Sequence, residues 1–298
     1  MLKLIYLSNM TFHYKINMKT KLAFSLFEIS IVLLVVSILL IGITKGKQVL
    51  TKFDVLNAAK LTKSSVVGKI DGLSLWLETT SSDSIDHIEA SDGHAVSVWN
   101  DISDSSFLPK NSEQTNSASQ PKYITNVING LPVLRFDGSN DFMTLPPAST
   151  IGLSNSNYEI FVVYQTKSTS VQFLLAGAIE QYEVHLNGAA NLRFIPTNGK
   201  YSDIDFSNSL SLPHIGVVRV QNGFGIVRVD GVDTLDVETN AISTSTTTLV
   251  IGTRSVAGAL PMNGDIAEII IFTRALSDQE RSDVESYLSE KWNIELNA

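Results

Sequence analysis

The stretch Gly264–Asn293, GDIAEIIIFTRALSDQERSDVESYLSEKWN, sets a strand and a helix back to back. GDIAEIIIFTR reads as a late β-strand. Beyond it, Ser277 precedes Glu280 by three residues, the spacing of a capping box at a helix start. Val284, Tyr287, Leu288 and Trp292 then fall on one face of that helix. Upstream, short β-like runs recur from Leu73 onward: Leu73–Leu77, Ala95–Ser103, Leu131–Phe136, Asp141–Pro146, Glu159–Thr166, and five or so more before Gly252. His214–Val220 is placed to pair with Gly225–Val229. Val229-Asp230-Gly231-Val232 is the clearest hairpin, since Asp-Gly between apolar residues favours a type I′ turn. Residues 104–122 are polar and read as a surface loop. Many short strands at even spacing imply an antiparallel jelly-roll β-sandwich with a short C-terminal helix.

The beginning of the chain is of another kind. Phe24–Ile43, FSLFEISIVLLVVSILLIGI, is almost wholly apolar and long enough to cross a bilayer as a helix. Glu28 near its front edge is costly there, which marks it as functional. Residues 1–22 carry lysines and no acid, and Met18 heads a compact basic leader, MKTKLA. Met18 is read as an alternative start, with residues 1–17 otherwise a cytoplasmic tail. The basic leader keeps the N-terminus in the cytoplasm. No proline precedes Pro109, so the helix continues past the membrane, and Gly68, Asp71 and Gly72 mark its boundary. Three segments follow: 1–23 leader, 24–69 transmembrane or filament helix, 70–298 β-sandwich.

Charge divides along the same line. Residues 1–70 carry ten lysines against Glu28 and Asp54, a net +8; the remainder carries 12 basic and 28 acidic side chains, a net −16. A body this acidic repels phosphate backbones and excludes nucleic acid as a partner. The chain has no cysteine, which excludes disulfides and cysteine-ligated metals.

The N-terminal pattern resembles the type IV prepilin signature. Counting Phe24 as the first mature residue puts Glu28 fifth, and FSLFE stands where that family usually has FTLIE. The resemblance implies that prepilin peptidase cuts between Ala23 and Phe24, and that Phe24 is N-methylated. It also implies that Glu28 pairs with the N-terminal amine of a neighbouring pilin-like subunit. Ala23 stands where the family usually has Gly, and the family's mid-helix proline is missing, with Lys45 about there. The alternative is a plain single-pass anchor whose Glu28 snorkels to the headgroups. Either way the expected location is the bacterial inner membrane, with the C-terminal domain periplasmic or extracellular.

LSLWLE, VSVWNDIS, NGLPVLRFDGSNDFM, VRVDGV and the closing stretch together resemble the concanavalin A-like lectin/glucanase (laminin-G-like) superfamily over roughly residues 73–293. That resemblance implies a jelly roll of two antiparallel sheets. It leaves a glycan- or surface-protein-binding adhesion module, a spacer and a glucanase open, because fold alone does not decide function.

A retaining glucanase needs two carboxylates at alternate strand positions. The superfamily's E-x-D-x-x-E run is absent. Leu235-Asp236-Val237-Glu238 is nearest and lacks the third acid, and Asp265 and Glu268 have the wrong spacing. The histidines His87, His94, His185 and His214 are scattered, so the chain reads as a non-enzyme. Trp76, Trp99 and Trp292 sit in apolar stretches and read as core. Asp137, Ser139, Asn140 and Asp141 crowd oxygens into one turn; Asp137, Asn140 and Asp141 are the candidate ligands for calcium. The same residues are what a tight turn uses.

Overall fold

The computed structural model describes residues 26–103, 110–153, 157–177, 181–188, 191–197, 200–203, 210–233, 237–238 and 247–297. It divides into two compact units, Met1–Gln48 and Val49–Ala298.

The described part of the first unit is the opening of α1, a helix over Leu26–Ser64. The eleven side chains from Ile29 to Leu39 are all exposed. Apolar groups surround the axis here instead of lining one stripe, the pattern of a helix that meets apolar surroundings on every side. Those eleven residues span roughly 16 Å as a helix, against about 30 Å of bilayer hydrocarbon. Among the described residues, no helix is long and apolar enough to cross a membrane. Ala23 and Phe24 lie outside the described residues, and of Glu28 only the helical backbone is described.

The second unit is a two-sheet antiparallel sandwich. One sheet, A, contains β1 (Leu73–Glu78), β4 (Lys122–Ile128), β5 (Leu131–Asp137), β7 (Tyr158–Thr166), β12 (Pro213–Gln221), β13 (Phe224–Val229), β14 (Val232–Asp233), β15 (Val237–Glu238) and β17 (Asn263–Phe272). Its backbone order is β14-β13-β12-β7-β17-β5-β4. The long β17 shares one edge between two partners: Asn263–Ile266 pairs with β5 and Glu268–Phe272 with β1. The other sheet, B, runs β11-β10-β9-β8-β16-β6-β3-β2. Its strands are β2 (Val98–Trp99), β3 (Ser112–Glu113), β6 (Met143–Pro147), β8 (Gln172–Ala176), β9 (Gln181–Leu186), β10 (Leu192–Thr197), β11 (Lys200–Asp203) and β16 (Thr248–Ile251). A short α2 (Ala148–Ile151) follows β6, and α3 (Asp278–Trp292) closes the chain.

Two apolar layers explain the residue patterns. Between the sheets, Leu75, Leu134, Ile160, Val162, Val218 and Ile269 of sheet A meet Trp99, Met143, Leu174, Val184, Phe194 and Ile251 of sheet B. On the outer side of sheet A, Phe161, Val163, Ile215, Val217 and Ile270 pack against Ala58 of α1 and Val284, Leu288 and Trp292 of α3. Central strands β7 and β17 are therefore buried on both faces, which is why they read as unbroken apolar runs instead of alternating ones.

Local chemistry agrees at the ends. Asp230 and Gly231 both take positive φ, 46° and 88°, as a type I′ turn requires, and Val229 pairs with Val232. Ser277 and Glu280 form the expected capping box, and Asn293 ends α3 in the left-handed region at φ 51°. Two expectations need correction. Only Val98–Trp99 of the run 95–103 pairs as a strand. Residues 110–122 are no plain surface loop: Lys110, Ser112 and Ser119 are buried, and the Lys110 ammonium donates to Ser74 O at 2.9 Å. Lys110 thereby satisfies a backbone carbonyl of β1, and Ser119 Oγ accepts from the Asn116 and Asn140 side-chain amides, purposes invisible in composition.

At the centre of the outer layer lies a buried charge cluster. Lys291 Nζ donates to Glu268 Oε2 at 2.9 Å, Glu78 Oε2 at 2.8 Å and Thr62 Oγ1 of α1 at 2.8 Å. Glu268 accepts three further bonds, from Trp76 Nε1 (2.6 Å), Tyr287 Oη (2.8 Å) and Trp292 Nε1 (2.8 Å). Glu78 accepts from Thr80 N, Thr80 Oγ1 and Ser81 N. Burial works against the lysine's charge, but Glu268 and Glu78 outweigh it and hold its pKa above the ordinary value. Burial likewise works against Glu78, and Lys291 outweighs it, lowering its pKa. Lys291→Ala would leave two buried carboxylates without their cation, a loss of about 3–5 kcal/mol. Denaturant unfolding followed by tryptophan fluorescence checks this; an unchanged midpoint would show that the cluster contributes nothing net.

A second buried acid has the opposite bias. Glu159, at the start of β7, is fully buried; its Oε2 accepts Leu276 N at 2.8 Å, and Oε1 is 3.8 Å from Arg281. Burial pushes its pKa to about 7, against the Leu276 hydrogen bond, Arg281 and Arg219. The folded state then holds a proton that the unfolded state has released, so stability falls as pH rises from about 4.5 through 7. Glu159→Gln should flatten this slope. Melting temperatures between pH 4 and 8 measure it, and identical slopes in both proteins would refute the assignment.

Candidate functional site

The helices decide which surface is left for a ligand. α3 and the second half of α1 cover the outer face of sheet A, while no described helix covers the outer face of sheet B. Strand alternation puts Tyr182, Val184, Leu192 and Phe194 into the core. Glu183, His185, Arg193 and Ile195 consequently point to the other face. Cross-strand register aligns Phe173 with His185 and His185 with Arg193, and sets Glu183 opposite Ile195.

This face carries a defined polar group. Arg254, just after β16, donates from Nε to Glu183 Oε1 at 2.7 Å. Its guanidinium carbon lies 5.5 Å from the Phe173 ring centroid, and His185 stacks on the same ring at 4.6 Å with 18° between planes. Phe173, Ala176 and Val250 form a small apolar floor. Glu183 is fully buried, while the Arg254 side chain keeps 28% exposure. A carboxylate, a guanidinium, an imidazole and a ring are thus held rigidly around an apolar patch, with Arg254 and Arg193 reaching solvent. The carboxylate, the imidazole and the ring are buried, so the two arginines are the groups of this cluster that a ligand could meet. Cross-strand register also sets Asp203 of β11 opposite Arg193.

The sequence-derived candidates lie elsewhere. Asp137 Oδ1 accepts Ser139 N at 2.8 Å and Asn140 N at 3.3 Å, and Asp141 Oδ2 accepts Asp137 N at 3.0 Å. Asn140 Nδ2 donates to Ala118 O at 2.6 Å. The structure brings Asp137, Asn140 and Asp141 together in one turn, with these contacts serving the turn itself. Burial, then the neighbouring Asp137 charge, raises Asp141 to about 6. Among the described residues, no group of three or more His, Cys, Asp or Glu could hold a metal ion. Asp265 is buried and held by Arg135 at 2.7 and 3.0 Å and by Lys167 at 3.1 Å. Glu268 belongs to the Lys291 cluster. Val237 and Glu238 form β15, and their side chains lie outside the described residues, as does Asp236. Trp76, Trp99 and Trp292 are core, as expected. His214 pairs with Asp230 at 2.6 Å, away from His185.

Comparison with known proteins agrees with this architecture. Residues 137–280 match the family model of the concanavalin A-like lectin/glucanases superfamily, so this span carries a laminin-G-like domain of that type. No curated protein sequence matches significantly. Among solved structures, the Trypanosoma rangeli sialidase in complex with sialic acid is similar, with TM-score 0.53, 16% identity, 74% of this chain and 33% of that one covered. The binding domain of Paraclostridial Mosquitocidal Protein 1 is similar as well, with TM-score 0.52, 14% identity, and 73% and 53% covered. The chain thus spans about a third of the length of the sialidase. At such identities the likeness shows the fold alone.

The Glu183–Arg254 pair is testable. Arg254→Ala strands a buried carboxylate and should cost about 3 kcal/mol, most of it regained on adding Glu183→Gln. A double-mutant cycle by denaturant unfolding measures the coupling, and purely additive losses would show that the pair does not interact.

Proposed function

We propose that this chain is a type IV pilin-like or pseudopilin-like subunit of the bacterial inner membrane, displaying a glycan-binding concanavalin A-like domain as an adhesin. The observation that carries the proposal is the exposure of every residue from Ile29 to Leu39, with apolar groups on every side of the helix. Water does not tolerate such a segment, whereas a bilayer or a bundle of like helices does. The leader, Ala23/Phe24 and Glu28 favour processing by prepilin peptidase and assembly with other pilin-like subunits. The domain type favours binding of a saccharide, with the partly exposed Arg254 as the group that would meet it. Ala23 in place of Gly favours the second reading, a single-pass anchored lectin that does not polymerise.

Co-expression with prepilin peptidase followed by mass analysis of the N-terminal peptide separates the two. A peptide beginning at N-methylated Phe24 is expected; a retained leader would sink the pilin reading. A glycan array run with and without chelator tests the domain. Saccharide binding that Arg254→Ala weakens tenfold or more is expected, and absence of any bound glycan would leave a spacer. Loss of binding on chelation would place calcium at Asp137, Asn140 and Asp141.

A further inference from the structure

The second half of α1 has an outer face that nothing among the described residues covers. Val55, Ala58 and Leu61 turn toward the sandwich. Phe53 and Leu56, three residues apart, point away and are 59% and 65% exposed. Lys52, Lys60, Lys63 and Lys69 are exposed around them, and none has an ion-pair partner among the described residues. The helix stands as a ridge between two grooves. One, about 500 Å³, is lined by Asn57, Lys60, Asn129 and Glu290. The other, about 750 Å³, is lined by Lys63, Lys69, Asp83 and Asp101.

We infer that this ridge is an interface for the acidic body of a second copy of the chain. The inference rests on the assembling reading above and adds which surfaces meet. Two features select a second copy as occupant. The four lysines and Asp54 give the ridge and its flank a net +3, while residues 71–298 carry −16, so one copy offers both complementary charges. The two faces differ, so the contact is heterologous; it repeats from copy to copy and extends instead of closing into a dimer. Phe53 and Leu56 supply the apolar centre and the lysines the rim, the usual division within an interface.

The test uses the full chain in its membrane, with a photo-crosslinking amino acid at position 53. The expected product has twice the mass of the chain, and its crosslinked peptides come from residues 71–298. Raising NaCl from about 0.05 to 1 M should reduce the yield several-fold, because exposed charges are screened. Crosslinks only to lipid, only to other proteins, or only to the α1 region of another copy would overturn the inference. So would a yield indifferent to Lys60→Glu/Lys63→Glu. Filaments that form without the position-53 product overturn this surface alone, and a product without filaments overturns the filament reading alone.

Discussion

Lys291 is the point on which the outer layer of this protein closes. Its ammonium joins three parts of the chain: Thr62 in α1, Glu78 in β1 and Glu268 in β17. One cation faces two carboxylates, and the excess negative charge is spread over neutral donors. Two indoles, a phenol, a hydroxyl and two backbone N–H groups serve that purpose. Removing any partner strands the others in a medium that cannot solvate them. An apolar contact could hold α3 and α1 to the sheet at many angles, whereas this network accepts only one. Specificity of seating, more than net stability, is what such a cluster contributes.

That seating has a functional consequence. With sheet A closed by two helices, the ligand-accessible surface moves to sheet B and to the loops. The polar group on sheet B repeats the logic of the hub at smaller scale: Glu183 is buried, and Arg254 both neutralises it and reaches solvent. The hub has no such outlet, since Lys291 and both its carboxylates are fully enclosed. One cluster is built to fix, and the other leaves hydrogen-bonding capacity facing outward.

The sequence was informative where the physics is local. The capping box, the Asp230-Gly231 turn and the apolar runs of β7 and β17 follow from neighbours within a few residues. Lys291 was not legible, because a lysine between Glu290 and Trp292 in a polar helix reads as solvated, and its partner Glu78 lies 213 residues away. Glu183 and His185 alternate visibly in YEVHLN, but what gives them meaning is Arg254, 71 residues from Glu183. Strands β2 and β3 have two residues each, too few for a period to register. The Asp137–Asp141 turn shows the converse: its acidic composition is consistent with ion binding, yet hydrogen bonds within the turn account for its oxygens equally well.

The charge segregation along the chain gains a physical reason from the two clusters. In the sandwich, basic groups are spent on particular buried acids: Lys291 on two, Arg254 on Glu183, Arg135 and Lys167 together on Asp265. These pairings neutralise the interior and leave the net −16 of residues 71–298 to the surface. In α1 Lys52, Lys60 and Lys63 are instead exposed, as is Lys69 just beyond it. Part of that complementarity stays within one molecule, since Lys60 shares a groove with Glu290, and Lys63 and Lys69 share one with Asp83 and Asp101. On the proposed interface the rest is intermolecular, and there it favours contacts between unlike faces over contacts between like ones.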